Sequence, residues 1–135
     1  MKAPLYDDIL ICCQDIAQAS ADDNDETRLS ALQALQKLCQ TNQSTPRDHP
    51  LQWEALADFT TDGDQAIDIY QIALNCAEKL ALTDSKASVY LAMSLRYNEF
   101  DETEKAAEYA SEAKALLPLI SNEELKKEVE ELVAG

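Results

Sequence analysis

The sequence predicts an all-α protein of antiparallel helix pairs, about seven helices in all. Three observations predict it. Ala, Leu, Glu, Gln and Lys are plentiful, and these residues lose little side-chain freedom in a helix. The 135 residues hold only two glycines, Gly63 and Gly135, and no β-branched alternation runs long enough to build a sheet. Apolar residues recur at helical spacing in blocks separated by short polar turns. A chain of this length buries about two-thirds of its unfolded surface on folding, so one domain over 1–135 is expected.

The first helix is expected over 4–20. Leu5, Ile9, Cys12 and Ile16 share a face there, Leu10, Cys13 and Ala17 widen it, and Pro4 suits the first turn. The run Asp22, Asp23, Asn24, Asp25, Glu26 breaks the pattern and sets carboxylates at the positive N-terminal end of a second helix, 25–41. Leu29, Leu32, Leu35 and Leu38 line that helix, with Ala31, Ala34 and Cys39 filling in. Together these helices make an N-terminal pair, 4–41.

Residues 41–50, TNQSTPRDHP, form the most loop-like stretch. A third helix follows from Pro50 to about Thr60, with Leu51, Trp53, Leu56, Ala57 and Phe59 apolar. Asp62-Gly63 reads as a turn in which Gly63 supplies a positive φ. The fourth helix carries Ala66, Ile67, Tyr70, Ala73 and Leu74 and continues through Cys76, Ala77, Leu80 and Leu82. Thr83-Asp84-Ser85 is placed to cap a fifth helix, which bears Val89, Tyr90, Met93, Tyr97 and Phe100 with the small Ala92 and Ser94 among them.

Asp101 with Glu104 suggests a capping box for the sixth helix. Ala106, Ala110 and Ala113 give that helix one closely packed face, and Pro118 ends it. Ser121-x-x-Glu124 suggests another box, opening a seventh helix over 121–134. Its narrow stripe, Leu125, Val129, Leu132 and Val133, opposes a strongly charged outer face, as the end of a helical stack requires.

Eleven Lys plus Arg against 26 Asp plus Glu give a formal charge of −15. Repulsion disfavours nucleic acid and anionic membrane surfaces, and a cationic partner is favoured. The same carboxylates also serve simply to keep outer helix faces solvated. Cys12, Cys13, Cys39 and Cys76 form no Cys-x-x-Cys and have no His at metal-ligand spacing, so they read as small hydrophobes beside apolar stripes. That usage suits a reducing compartment. Asp7 and Asp8 interrupt the N-terminus before any apolar run, so no signal peptide is expected. No apolar stretch approaches a membrane span, and a cytoplasmic location is the expectation.

Catalytic patterns are missing from the sequence. Two glycines cannot build a phosphate-cradling loop. The single histidine, His49, stands between Asp48 and Pro50, where opening a helix suits it better than a catalytic triad. Asp22, Asp23, Asp25 and Glu26 lack the spacing and turn glycine of a calcium loop. No metal, cofactor or catalytic residue is expected. The aromatics Trp53, Phe59, Tyr70, Tyr90, Tyr97, Phe100 and Tyr109 fall at core spacing, and a buried Trp53 needs a partner for its indole N–H.

Residues 86–118 carry a finer signal. Tyr90, Met93, Ser94 and Tyr97, followed by Ala106, Ala110, Ala113 and Pro118, resemble a tetratricopeptide repeat (TPR). Tyr stands for Trp, Met for Leu, and Ala110 where an aromatic is usual. Ala66, Ile67, Tyr70, Ala73 and Leu74 resemble the second half of a preceding unit. Ala66 and Ala106 are 40 residues apart, as are Ala73 and Ala113, against roughly 34 in the common repeat. Long units of this kind are similar to the kinesin light chain variety, in which Asp-His-Pro commonly opens a unit; Asp48-His49-Pro50 stands at that place.

The resemblance implies two TPR-like units over 50–118, stacked as a short right-handed superhelix, with the N-terminal pair before them and a capping helix after. It also implies a non-catalytic protein with a concave groove lined by the first helix of each pair. Carried over by position, Ser88, Leu91, Leu95 and Asn98 face the groove with Glu99 at its edge, and Glu54, Asp58, Thr61 and Asp62 take the corresponding places in the preceding unit. Leu91 and Leu95 stand where a carboxylate clamp needs polar residues, which argues against a partner held by its C-terminal carboxylate. The expected function is an adaptor binding a basic or amphipathic protein segment. Two other classes stay open. One is an acidic inhibitor or antitoxin-like protein that neutralises a cationic protein through a distributed surface. The other is a homodimeric scaffold that closes an apolar face of the first or third helix on its symmetry mate.

Overall fold

A computed structural model describes residues 3–134, except the side chains of Val133 and Ala134, so Val133 of the last stripe lies outside the described residues. The fold is all-α. Seven helices run in order: α1 Tyr6–Ala21, α2 Asp25–Asn42, α3 Pro50–Asp58, α4 Gly63–Lys79, α5 Thr83–Glu99, α6 Thr103–Ala115 and α7 Glu123–Ala134, with a 3₁₀ turn at Leu117–Leu119 before α7. Among the described residues there is no strand. The chain divides into two compact units, Met1–Ile69 and Tyr70–Gly135.

In the first unit only residues 22–24 separate α1 from α2, so the two helices return along one another, and α3 touches both. Leu5, Ile9, Ile16 and Ala19 are buried from the α1 segment, Leu35 and Cys39 from α2, and Trp53, Leu56 and Ala57 from α3. Helix α1 begins at Tyr6, not at residue 4, and Pro4 lies in the preceding turn. On α2 only Leu35 and Cys39 are fully buried, whereas Leu29 is 48% exposed. The reason is geometric. Leucines every three residues drift about 60° per step around a helix with 3.6 residues per turn, so Leu32 and Leu38 sit on the shoulders and Leu29 leaves the core.

Asp48 organises the start of α3. Its Oδ2 accepts the Ser44 backbone N–H at 2.9 Å, and its Oδ1 accepts from Gln52 Nε2 at 3.1 Å and Trp53 Nε1 at 2.8 Å. His49 is the N-cap, its Nδ1 accepting the Leu51 N–H at 3.1 Å, and Pro50 follows where a missing N–H costs nothing. The Cys39 thiol donates to the Gln52 carbonyl at 3.2 Å and so ties α2 to α3.

In the second unit α5 and α6 are antiparallel. Tyr90 meets Tyr109, and Ser94 Oγ donates to the Ala106 carbonyl at 2.7 Å, so progress along one helix is matched by retreat along the other. Ala87, Ala113, Ile120 and Val129 form a buried cluster against which Tyr90, Leu116, Leu117 and Leu125 pack. Helix α5 buries Ala87, Leu91 and Ser94 along one stripe and Val89, Met93 and Tyr97 along others, and it touches both α6 and α7.

The helix ends differ from the sequence expectation in physically instructive ways. Gly63 has no positive φ; the left-handed residues are Asp23 (52°), Ser44 (62°), Ala81 (55°) and Asp101 (60°). Three of these close helices by the same reversal. The N–H groups of Asn24, Leu82 and Glu102 reach back to the carbonyls of Ala19, Ala77 and Tyr97, the longer of the two bonds in a Schellman ending. Helix α4 therefore stops at Lys79, with Leu80 and Leu82 outside it. Asp101 is a C-terminal reversal residue, not the capping residue of α6, whose N-cap Glu102 makes no side-chain cap. Thr83 to Ser85 lie within α5, whose N-cap is Leu82. Asn122, not Ser121, caps the α7 start, its side chain accepting the Leu125 N–H at 2.9 Å.

Candidate interaction site

Helices α1 and α3 leave an open, apolar cleft between them in the first unit. Tyr6, Ile9, Leu10 and Cys13 line it from α1, and Leu51, Glu54, Ala55, Asp58 and Phe59 from α3 and its C-cap, around a volume of about 280 Å³. The local sequence explains both walls. Tyr6, Leu10 and Cys13 recur at i, i+4 and i+7, a second stripe beside the buried Ile9 and Ile16, and Glu54 and Asp58 recur at i and i+4 along α3. Leu10 is 40% exposed and Tyr6 37%, so apolar surface is presented to solvent here.

The surroundings are strongly acidic. Neither α1 nor α3 carries a Lys, Arg or His, and residues 1–69 hold 13 acidic against four basic residues; Glu54 and Asp58 line the cleft itself, whereas Asp8 and Asp15 lie beside Cys12 on another face of α1. Cys13 faces this field: burial raises its thiol pKa first, and neighbouring Cys12 and Asp58 add to the rise. Cys12 is raised likewise by burial, then by Asp15 and Asp8. The buried Cys39 is pushed up to about 12, by burial first and then by Asp48, Cys12 and Cys13, against a lowering backbone hydrogen bond. Protonated thiols of this kind are weak nucleophiles. Burial also lowers the pKa of His49, which keeps the Nδ1 lone pair available to cap α3.

The residues singled out in the sequence fall in several places. Glu54 and Asp58 line the α1–α3 cleft. Asp62 is exposed and accepts the Gln65 N–H at 2.9 Å, capping the start of α4, and Thr61 is exposed beside it. On α5 the set divides between two stripes. Leu91 and Asn98 continue the line of Ala87 and Ser94, where Leu91 is only 8% exposed and Asn98 borders a polar hollow of about 420 Å³ lined by small residues and Lys114. Ser88, Leu95 and Glu99 lie about 90° around the helix; Leu95 is 49% exposed, and Glu99 lies 3.8 Å from Arg96.

Sequence reasoning offered an apolar face of α1 only as a surface for a symmetry mate, not as a wall shared with Glu54 and Asp58. Leu10 and Cys13 were visible as residues widening its apolar stripe, and Tyr6 extends the same line. A stripe too wide for one partner helix to cover is the signal that marks such a wall. The aromatics are mixed in role. Trp53 and Tyr70 are buried, Tyr97 and Tyr109 stack at 5.5 Å, and Phe100 is 39% exposed. Among the described residues no group of three or more His, Cys, Asp and Glu is placed to hold a metal, and no helix is long and apolar enough to cross a membrane.

Comparison with family models, curated proteins and solved structures finds no match to this chain.

Proposed function

We propose that this protein is a non-catalytic interaction module that binds a basic or amphipathic protein segment. One observation carries the reading: an apolar cleft open to solvent whose α3 wall bears Glu54 and Asp58. Apolar walls supply affinity by removing side chains from water, and carboxylates around them attract cationic partners and reject anionic ones. The spacing in residues 86–118 supports a TPR-like architecture, and four cysteines that form no disulfide suit a reducing, cytoplasmic setting.

A cationic amphipathic peptide of leucine and lysine, titrated into the protein by fluorescence anisotropy, tests the reading. The double change Glu54→Lys and Asp58→Lys weakens binding about tenfold or more, while Glu108→Lys with Glu112→Lys on α6 leaves it within about twofold. Equal weakening by both pairs favours the acidic inhibitor class, whose surface is distributed. No binding to the wild type at millimolar peptide removes the proposal.

A further inference from the structure

We infer that the segment received between α1 and α3 is a helix of about two turns with a basic outer face, and that α1 supplies half of its seat. This rests on the reading just given and adds the partner's conformation and its place. Backbone chemistry decides the conformation. Both walls are helices, so the cleft offers chiefly side chains and no sheet edge. An extended segment finds no strand here to pair with, and whichever of its N–H and C=O groups turn toward the apolar walls lose their water partners. A helix brings its backbone already satisfied and presents only side chains.

Size and charge narrow the occupant further. At about 280 Å³ the cleft falls just under the roughly 300–1,000 Å³ of small-molecule and cofactor sites, and it suits one or two large apolar side chains. The lining runs from Tyr6 to Cys13 on α1 and from Leu51 to Phe59 on α3, each about 10–12 Å of helix, the length of two turns. Apolar anchors at i and i+4 of a docked helix then meet Leu10, Cys13, Ala55 and Phe59. Its flank on the α3 side faces Glu54 and Asp58, so Lys or Arg belongs there. A second copy of the chain is a poor occupant, because isologous contact would set two such acidic faces against each other at a net charge of −15 per chain.

The test uses the full chain, isotopically labelled for NMR, and a leucine–lysine peptide of about four turns (~14 residues) with leucines at i, i+3, i+4 and i+7. A proline-interrupted peptide of equal composition and a glutamate-for-lysine peptide are the comparisons. Expected are shifts concentrated in residues 6–13 and 51–59, a gain of peptide helicity by circular dichroism, and about tenfold weaker binding for each comparison peptide. Leu10→Asp, a change at an exposed site checked for folding by Trp53 fluorescence, also weakens binding about tenfold. Equal binding of the proline peptide overturns the helical conformation. Shifts elsewhere overturn the place, and the proposed function then stands on another surface. Concentration-dependent shifts of residues 6–13 without peptide make a second copy the occupant and overturn the inference. If no peptide binds at all, the inference and the proposed function fall together.

Discussion

Trp53 donates its indole N–H to Asp48 Oδ1 at 2.8 Å, and this bond fastens the loop before α3 to the helix that carries Glu54 and Asp58. Trp53 is 4% exposed as a whole residue, and its indole N–H finds its partner in the half-buried Asp48. The same carboxylate holds Ser44 and Gln52. One side chain thus sets the end of a loop, the start of a helix and, through that helix, one wall of the cleft.

Asp48→Ala removes the partner of the side-chain donors of the buried Gln52 and Trp53, while the exposed Ser44 N–H turns to water, and a buried donor without a partner costs about 1–3 kcal/mol. The urea midpoint, read from the fluorescence of the single tryptophan, falls accordingly. In a Trp53→Phe background the same substitution costs less, because the shortest of the three bonds is already gone.

His49 gives the first unit a pH dependence. Burial holds its folded pKa below the ordinary 6.5, so between the two values the unfolded chain binds more protons than the folded one. Its contribution is complete above 6.5 and declines as pH falls through that value toward the folded pKa. Protonation also removes the Nδ1 acceptor that caps α3. His49→Asn retains a capping side chain and does not titrate, so denaturant midpoints measured across this window show a shallower acid decline than the wild type.

Ala81 closes α4 at φ 55° without being glycine. A left-handed conformation costs a residue with a β-carbon roughly 1–2 kcal/mol, and glycine avoids that cost at some entropic penalty of its own. Ala81→Gly is therefore expected to stabilise the protein by up to about 1 kcal/mol, seen as a higher thermal midpoint by circular dichroism. An equal or lower midpoint contradicts the left-handed ending.

Asp84 links the start of α5 to the turn before α7. Its Oδ1 accepts the Ser121 N–H at 2.8 Å and its Oδ2 the Asn122 N–H at 3.0 Å, 37 and 38 residues along the chain. Asp84→Ala removes both acceptors, and the expected loss is about 0.5–2 kcal/mol, the range of a lost cap. Amide exchange of residues 121–125 accelerates in this variant more than that of α6.

The seven helices were legible because composition and apolar spacing agree along the whole chain. Their ends were harder to read. With glycine nearly absent, the left-handed positions fell to Asp23, Ser44, Ala81 and Asp101, and the aspartate expected to cap α6 instead closes α5. Asp84 was read as a local cap, whereas its partners lie far along the sequence and depend on tertiary packing. On α2 the three-residue leucine spacing looked like a single face, but helical drift leaves Leu29 in solvent. Glu54 and Asp58 were singled out through the TPR resemblance, as places in a concave groove, and in the structure they line the cleft between α1 and α3. The α1 wall was legible only as an apolar face open to a symmetry mate, because a wide stripe does not reveal which edge stays uncovered until α2 and α3 have taken theirs.

Cys13 lies in the cleft and Cys12, the next residue, does not line it, so the two thiols form a matched pair of reporters. The central claim is tested most directly by their alkylation rates in mildly alkaline buffer, resolved by mass spectrometry, with and without the bound leucine–lysine peptide. A helix seated between α1 and α3 slows Cys13 by about tenfold, the order of a well-occupied site, and leaves Cys12 nearly unchanged. Equal rates at Cys13 with the peptide demonstrably bound would contradict the account.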